Sequence, residues 1–289
     1  MLQAIHSVED YRARVRAFDA VLEHARAVAS AVAAVPAGSA HAAYGEQAFL
    51  KLLMHCVALR TLAGDPARAA PRALLDVPSL CAVARSAVEA HDAYEYIAGH
   101  EMAAEERTFR LQLWELHDLA RRLKMTGDLG AADARLSHLP ARVELLRARL
   151  DADAFMATLQ PELQAELRRR FSRGDPPAFH LNQRQRCTLS GVDADWYGDV
   201  MLLLSQYAHT LPFSLHQVFE SPAGSPEALR LMAMPLVTAL PFLVRVTQAV
   251  GLRHPGASPE PPSRTARTMA TWRAMAETRT PQSGTNIAL

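Results

Sequence analysis

Arg85 and Glu89 stand four residues apart in one segment of this chain, and Ser205 and His209 stand four apart in a later, more apolar one. An arginine can hold an anion or stabilise negative charge that develops during a reaction. A carboxylate can pair with it or move a proton, and an imidazole near a hydroxyl can accept a hydrogen bond or serve as a base. At 100° per residue, Arg85, Glu89, Asp92 and Tyr96 share one side of a helix, with His100 near its end. Val83, Ala87, Ala90, Tyr94 and Ile97 form an apolar stripe nearly opposite. The plain reading of the polar stripe is the wet face of an amphipathic helix. If Arg85 and Glu89 are instead buried, each needs the other, and Arg85→Ala should destabilise the protein by stranding a carboxylate.

The second segment places Tyr197, Met201, Ser205 and Ala208 or His209 along one side, while Val200, Leu203, Leu204 and Tyr207 spread around the rest. So many apolar positions predict a helix buried over most of its surface. Buried polar groups are normally hydrogen-bonded, so Ser205 and His209 need partners from another helix, and Arg85 and Glu89 are natural suppliers. A satisfied core histidine is the simpler role for His209.

Other chemistry has less to stand on. A Ser205–His209 hydrolase lacks a nucleophile elbow and an evident oxyanion hole. The chain has 12 histidines, but the Glu-x-x-His motif of di-iron helical proteins does not occur, so no metal site is expected. There is no haem attachment motif and no phosphate-binding glycine loop, and no cofactor is expected. Cys56, Cys81 and Cys187 are far apart with no Cys-x-x-Cys pair, which predicts small buried hydrophobes in a reducing compartment. The formal net charge of +1 supplies no global attraction to nucleic acid or an anionic membrane. Lys51 and Lys124 are the only lysines, and the abundance of Arg and Ala suits a GC-rich bacterial coding sequence.

These residues must be positioned by helices. Tyr11, Val15, Phe18, Leu22, Ala25, Ala29 and Val32 recur at three- and four-residue steps behind a capping box at Ser7 and Asp10. Further helices are expected at about 43–62, from Asp76-Val-Pro78 to about Gly99, and at 105–125, 140–149 and 161–171. Breaks are expected at Pro66 and Pro71, at Gly127 and Gly130, and in the turn 172–177. A long helix after Asp193 is broken or kinked at Pro212, and a last core helix spans about 226–250, bent by Pro235 and Pro241. Its most apolar run, Leu231 to Val244, is shorter than the ~20 residues of a spanning helix. The N-terminus does not read as a signal peptide. No alternating strand pattern and no internal repeat occur.

The segment A-R-S-A-V-E-A-H-D-A-Y-E-Y-I resembles the R-x-x-x-E helix of a widespread family of bacterial helical proteins of unknown function. The later L-L-S-Q-Y-A-H-T resembles that family's S-x-x-x-H helix, and F-R-L-Q-L-W-E-L-H-D its fourth-helix region. The resemblance covers about residues 45 to 250 and implies a helical bundle in which Arg85, Glu89, Ser205 and His209 converge. Some such bundles are similar to the HEPN class, whose members often cleave RNA without metal through an R-x(4–6)-H motif. Arg85 and His91 fall within that spacing and would be the catalytic pair. An imidazole would take the 2′-hydroxyl proton while Arg85 stabilises the charge growing on the phosphate. On an unbroken helix, however, the two point about 120° apart, so they meet only through a distortion or across a homodimer.

The expectation is therefore an all-α protein without β-sheet: one bundle of about eight helices over 1–252, then a Pro/Ser/Thr-rich tail over 253–289 with a short helix. It is expected in the cytoplasm, with no membrane partner. Two functions stay open: a HEPN-like, RNA-directed activity through Arg85 and His91, or a non-enzymatic bundle that binds a small molecule or a protein. In the second, Arg85, Glu89, Asp92, Tyr96, Ser205 and His209 form the polar cluster.

Overall fold

The computed structural model describes residues 5–65, 76–126, 137–209, 211–222 and 224–277. The expected breaks at Pro66, Pro71, Gly127 and Gly130 lie outside the described residues, as does the end of the tail from 278. Among the described residues the chain is all-α: there is no β-sheet, and the one antiparallel bridge joins Val192 to Glu277.

There are eleven α-helices among these residues rather than about eight. The first six are α1 (Val8–Val32), α2 (Ala40–Ala63), α3 (Val77–Tyr94), α4 (Ala104–Thr126), α5 (Leu139–Asp151) and α6 (Pro161–Ser172). Three elements account for the difference, of which the break at Pro212 and the short helix of the tail were expected. Helix α7 (Gln183–Ser190) was not expected, because Cys187 is its buried residue and so few apolar side chains leave no periodic signal. The long helix after Asp193 is two, α8 (Ala194–Ala208) and α9 (Pro212–Glu220), since Pro212 cannot continue a hydrogen-bond ladder and starts a new helix instead. After α10 (Pro226–Arg253), the tail carries α11 (Ser263–Met275), which buries Thr265, Met269 and Trp272.

Local chemistry explains the starts. Ser7 and Asp10 make the reciprocal capping box of α1, and Ser39 accepts from the Ala42 amide at α2. Asp76 accepts from Ser79, and Pro78 occupies the first turn of α3, where its missing N–H costs nothing.

Contacts gather into two compact units, residues 1–99 with 187–289 and residues 100–186, a division that the sequence reading did not draw. In the second unit α4, α5 and α6 share a core of Phe109, Leu113, Leu116, Leu139, Leu146, Leu150, Leu167 and Phe171. The first unit is built around α10, which touches α1, α2, α3 and α11. By length and composition α10 could cross a membrane, being longer than its most apolar run, but most of it is buried within this unit. It runs through Pro235 and Pro241 without a break.

Helix α3 buries Leu80, Cys81, Ala84, Ala87 and Val88 along one face, and its polar side chains differ: Arg85 is half-buried and Glu89 exposed, whereas His91 and Asp92 are buried, as are Tyr94, Tyr96, Ile97 and Ala98. Its last turn passes into a π-helical segment, Glu95–Gly99. Such segments insert an extra residue into the helical repeat and occur often at functional sites. Two glycines permit the close packing here. A Cβ on Gly45 of α2 would sit 2.5 Å from the Cβ of Ala98, and one on Gly99 would collide with the Glu95 carboxylate.

Gly45→Ala should therefore destabilise the protein by about 1–3 kcal/mol, because a helix backbone rather than a side-chain tip must move. Gly38→Ala, where nothing lies within 4 Å of the added atom, is the control. Urea unfolding with equal midpoints for the two variants would contradict this packing.

Candidate functional site

Arg85 projects from the half-exposed part of α3 toward α8. Its Nε donates to Glu89 Oε1 at 3.1 Å, and its Nη1 donates to Ser205 Oγ at 2.7 Å and to His209 Nε2 at 3.1 Å. Arginine is always a donor, so His209 must accept through Nε2, and its remaining proton sits on Nδ1. Arg85 Nη2 has no hydrogen bond among the described residues, and the side chain keeps 30% exposure. Three acceptors thus hold the guanidinium while one donor edge is left over.

Four of the six residues expected to form a cluster are brought together: Arg85, Glu89, Ser205 and His209. Their environment is wetter than the sequence suggested. The Glu89 side chain is 54% exposed and His209 is exposed, so removing Arg85 strands no buried carboxylate, and the condition under which Arg85→Ala was expected to destabilise the protein is not met. An ion pair this open contributes about 0–1 kcal/mol. Helix α2 adds a neighbour: burial pulls the His55 pKa down, Lys51 acts in the same sense, and Glu89 opposes both.

The wiring is not that of a hydrolase. The Ser205 hydroxyl donates to the Met201 carbonyl at 2.5 Å and accepts from Arg85, while His209 also accepts from Arg85. No proton path runs from the serine to the histidine, which nucleophilic activation needs.

Asp92 and Tyr96 belong elsewhere. Asp92 is buried and accepts from the Tyr197 hydroxyl at 2.6 Å, and Tyr96 is fully buried. His91 is 1% exposed and faces different neighbours from Arg85. Its Nδ1 lies 3.5 Å from Asp92, its Nε2 lies 3.6 Å from Glu95, and neither nitrogen has a hydrogen bond. The ring meets Phe242 edge-on at 4.8 Å, and Trp196 stacks on Phe242. Arg245, also buried, donates to the Ser190 carbonyl; burial lowers its pKa, and Glu95 opposes that shift. Arg85 and His91, the expected catalytic pair, are not brought together within the chain.

Glu95 and Arg245 escaped the sequence reading. Glu95 follows His91 by one helical turn, and Arg245 interrupts the most apolar helix of the chain; those were the available signals. His100, expected on the polar side of α3, belongs to the second unit, where it bonds the buried Arg110 at 2.9 Å. Among the described residues no group of three or more His, Cys, Asp or Glu is arranged to hold a metal ion. The three cysteines are buried and free, and burial pushes the Cys56 and Cys81 thiols up to about 12.

Two predictions follow from the burial pattern. Tyr197→Phe removes the hydroxyl from a buried carboxylate and should cost about 1.5–3 kcal/mol of stability, more than Arg85→Ala; equal melting temperatures would contradict this. In the second unit, burial between Phe109 and Phe155, with Arg110 nearby, pushes His180 down to about 3 from 6.5. The unfolded chain then binds a proton that the native unit rejects, so this contribution is present above pH 6.5 and is lost as pH falls toward 3. Imidazole NMR should show His180 neutral at pH 5; a transition near 6.5 would contradict its burial.

Comparison with protein-family models, with characterised proteins and with solved structures found no match to this chain.

Proposed function

We propose that this chain is a non-enzymatic binding protein that takes an anionic group, a carboxylate or a phosphate, at Arg85. One observation carries the reading. The guanidinium is already held through Nε and Nη1 by acceptors on two helices, with Nη2 unpaired and the side chain partly open. An arginine fixed in this way loses little further side-chain freedom when it meets an anion, and its planar fork suits oxyanions. His209 stands exposed beside it.

The RNA-directed reading has less support. It needs an imidazole that reaches the substrate next to the arginine, and His91 is enclosed by Phe242, Asp92 and Glu95. The polar groups around His91 serve better as a structural lock between α3, α8 and α10.

The test is thermal melting in phosphate against chloride at equal ionic strength. Ligand at 100 times its dissociation constant stabilises by about 2.7 kcal/mol. Wild type should melt several degrees higher in phosphate, and Arg85→Gln should lose that gain. Equal shifts in the two proteins would refute the reading.

A further inference from the structure

Helix α10 ends beside the early turns of α2 and the last turn of α3, and polar side chains gather there that the Arg85 site does not use. Gly45 of α2 is the pivot. A Cβ built on it would stand 3.7 Å from Cε2 of Tyr94 and 3.9 Å from Nη1 of Arg253, the last residue of α10. Arg253 carries its guanidinium over the Tyr94 ring, 5.6 Å from the ring centre. On the next residue along each strand of chain, Glu46 and His254 meet, with Oε1 and Nε2 3.5 Å apart. Consecutive residues of α2 therefore face consecutive residues at the end of α10, with the Tyr94 ring against the first pair.

A cation at the C-terminal end of a helix needs no ligand to explain it, since it meets the negative end of the dipole. Two enclosed atoms beside it do call for one. Tyr94 is 1% exposed, and its hydroxyl is buried without a hydrogen-bond partner. Burial raises its pKa, so the phenol keeps its proton and is a donor without an acceptor. Glu46 is half-buried, and its Oε1 is enclosed without a hydrogen bond: an acceptor without a donor. Leaving either group unmet costs free energy, which a solute that supplies both functions recovers. Arg253 is exposed, so a solute reaches it from water.

These groups ask for opposite charges on one small molecule. We propose that the end of α10, Tyr94 and the early part of α2 form a second binding site, which holds the head group of a free α-amino acid. The carboxylate of the amino acid pairs with Arg253 and accepts from the Tyr94 hydroxyl, and its ammonium donates to Glu46 Oε1. A simple anion would leave Glu46 unmet and place like charge beside it. A simple amine would leave Tyr94 unmet and stand against Arg253.

Thermal melting of the full chain with each common L-amino acid in turn is the test, beside propionate and ethylammonium, which carry one of the two charges each. At least one amino acid should raise the melting temperature, and neither single-charge compound should. For that amino acid, calorimetry should show a tenfold or greater loss of affinity in Arg253→Gln, in Glu46→Gln and in Tyr94→Phe. The last variant separates binding from packing: deleting a hydroxyl that has no partner should leave the free protein melting as wild type or higher, while affinity falls. Arg85→Gln should bind the amino acid like wild type. No shift with any amino acid, equal shifts with propionate or ethylammonium, or undiminished affinity in Arg253→Gln or Glu46→Gln would overturn the proposal. So would a free Tyr94→Phe protein that melts lower, which would show the hydroxyl already bonded. Binding lost in Arg85→Gln and kept in Arg253→Gln would move the amino acid to the other arginine and overturn it as well.

Discussion

The difference in burial among the polar side chains of α3 and of the π-helical turn that follows it is the constraint on which the polar interior of the first unit depends. One helix carries Arg85 and Glu89 where water still reaches, and His91, Asp92, Glu95 and Tyr96 where it does not. Polar residues of similar type therefore acquire opposite roles within three turns. In the open part, a charged group can be held and still keep a free edge. In the closed part, Asp92 accepts from Tyr197 while both nitrogens of His91 are buried without a hydrogen bond, and an unmet polar group there is costly.

The same difference in burial decides between the energetic contributions of the two polar groups. The Arg85–Glu89 pair is exposed and screened, so it positions the guanidinium more than it stabilises the fold. The Tyr197–Asp92 bond is buried, and losing it removes a donor from a buried carboxylate. Close approach of Gly45 to Ala98 brings α2 against the π-helical turn that completes this interior. Arg245, from the most apolar helix, enters the same interior beside Glu95.

Much of this was legible in the sequence, and the exceptions have physical causes. The fold class, the capping of α1 and the start of α3 follow from apolar periodicity and from side chains that cap their own helices. Those signals are local. The meeting of Arg85 with Ser205 and His209 was legible because both helices carry polar residues at four-residue spacing in apolar surroundings. Burial was not, since an exposed Glu89 and a buried Asp92 differ only in what other helices place over them. The π-helical turn was also invisible: it rotates the end of α3 relative to its beginning, and periodicity assumes an unbroken repeat. Helix α7 was missed because a mostly exposed helix has no apolar stripe to find.

The central claim is that Arg85 is fixed in place with Nη2 open to an anion, and guanidinium-detected NMR tests it most directly. A held Arg85 gives separate, sharp Nη1 and Nη2 resonances in the free protein, and added phosphate displaces the Nη2 signal while Nη1 stays with Ser205 and His209. A single averaged Nη resonance, unmoved by phosphate, would show a freely rotating surface arginine and contradict the account.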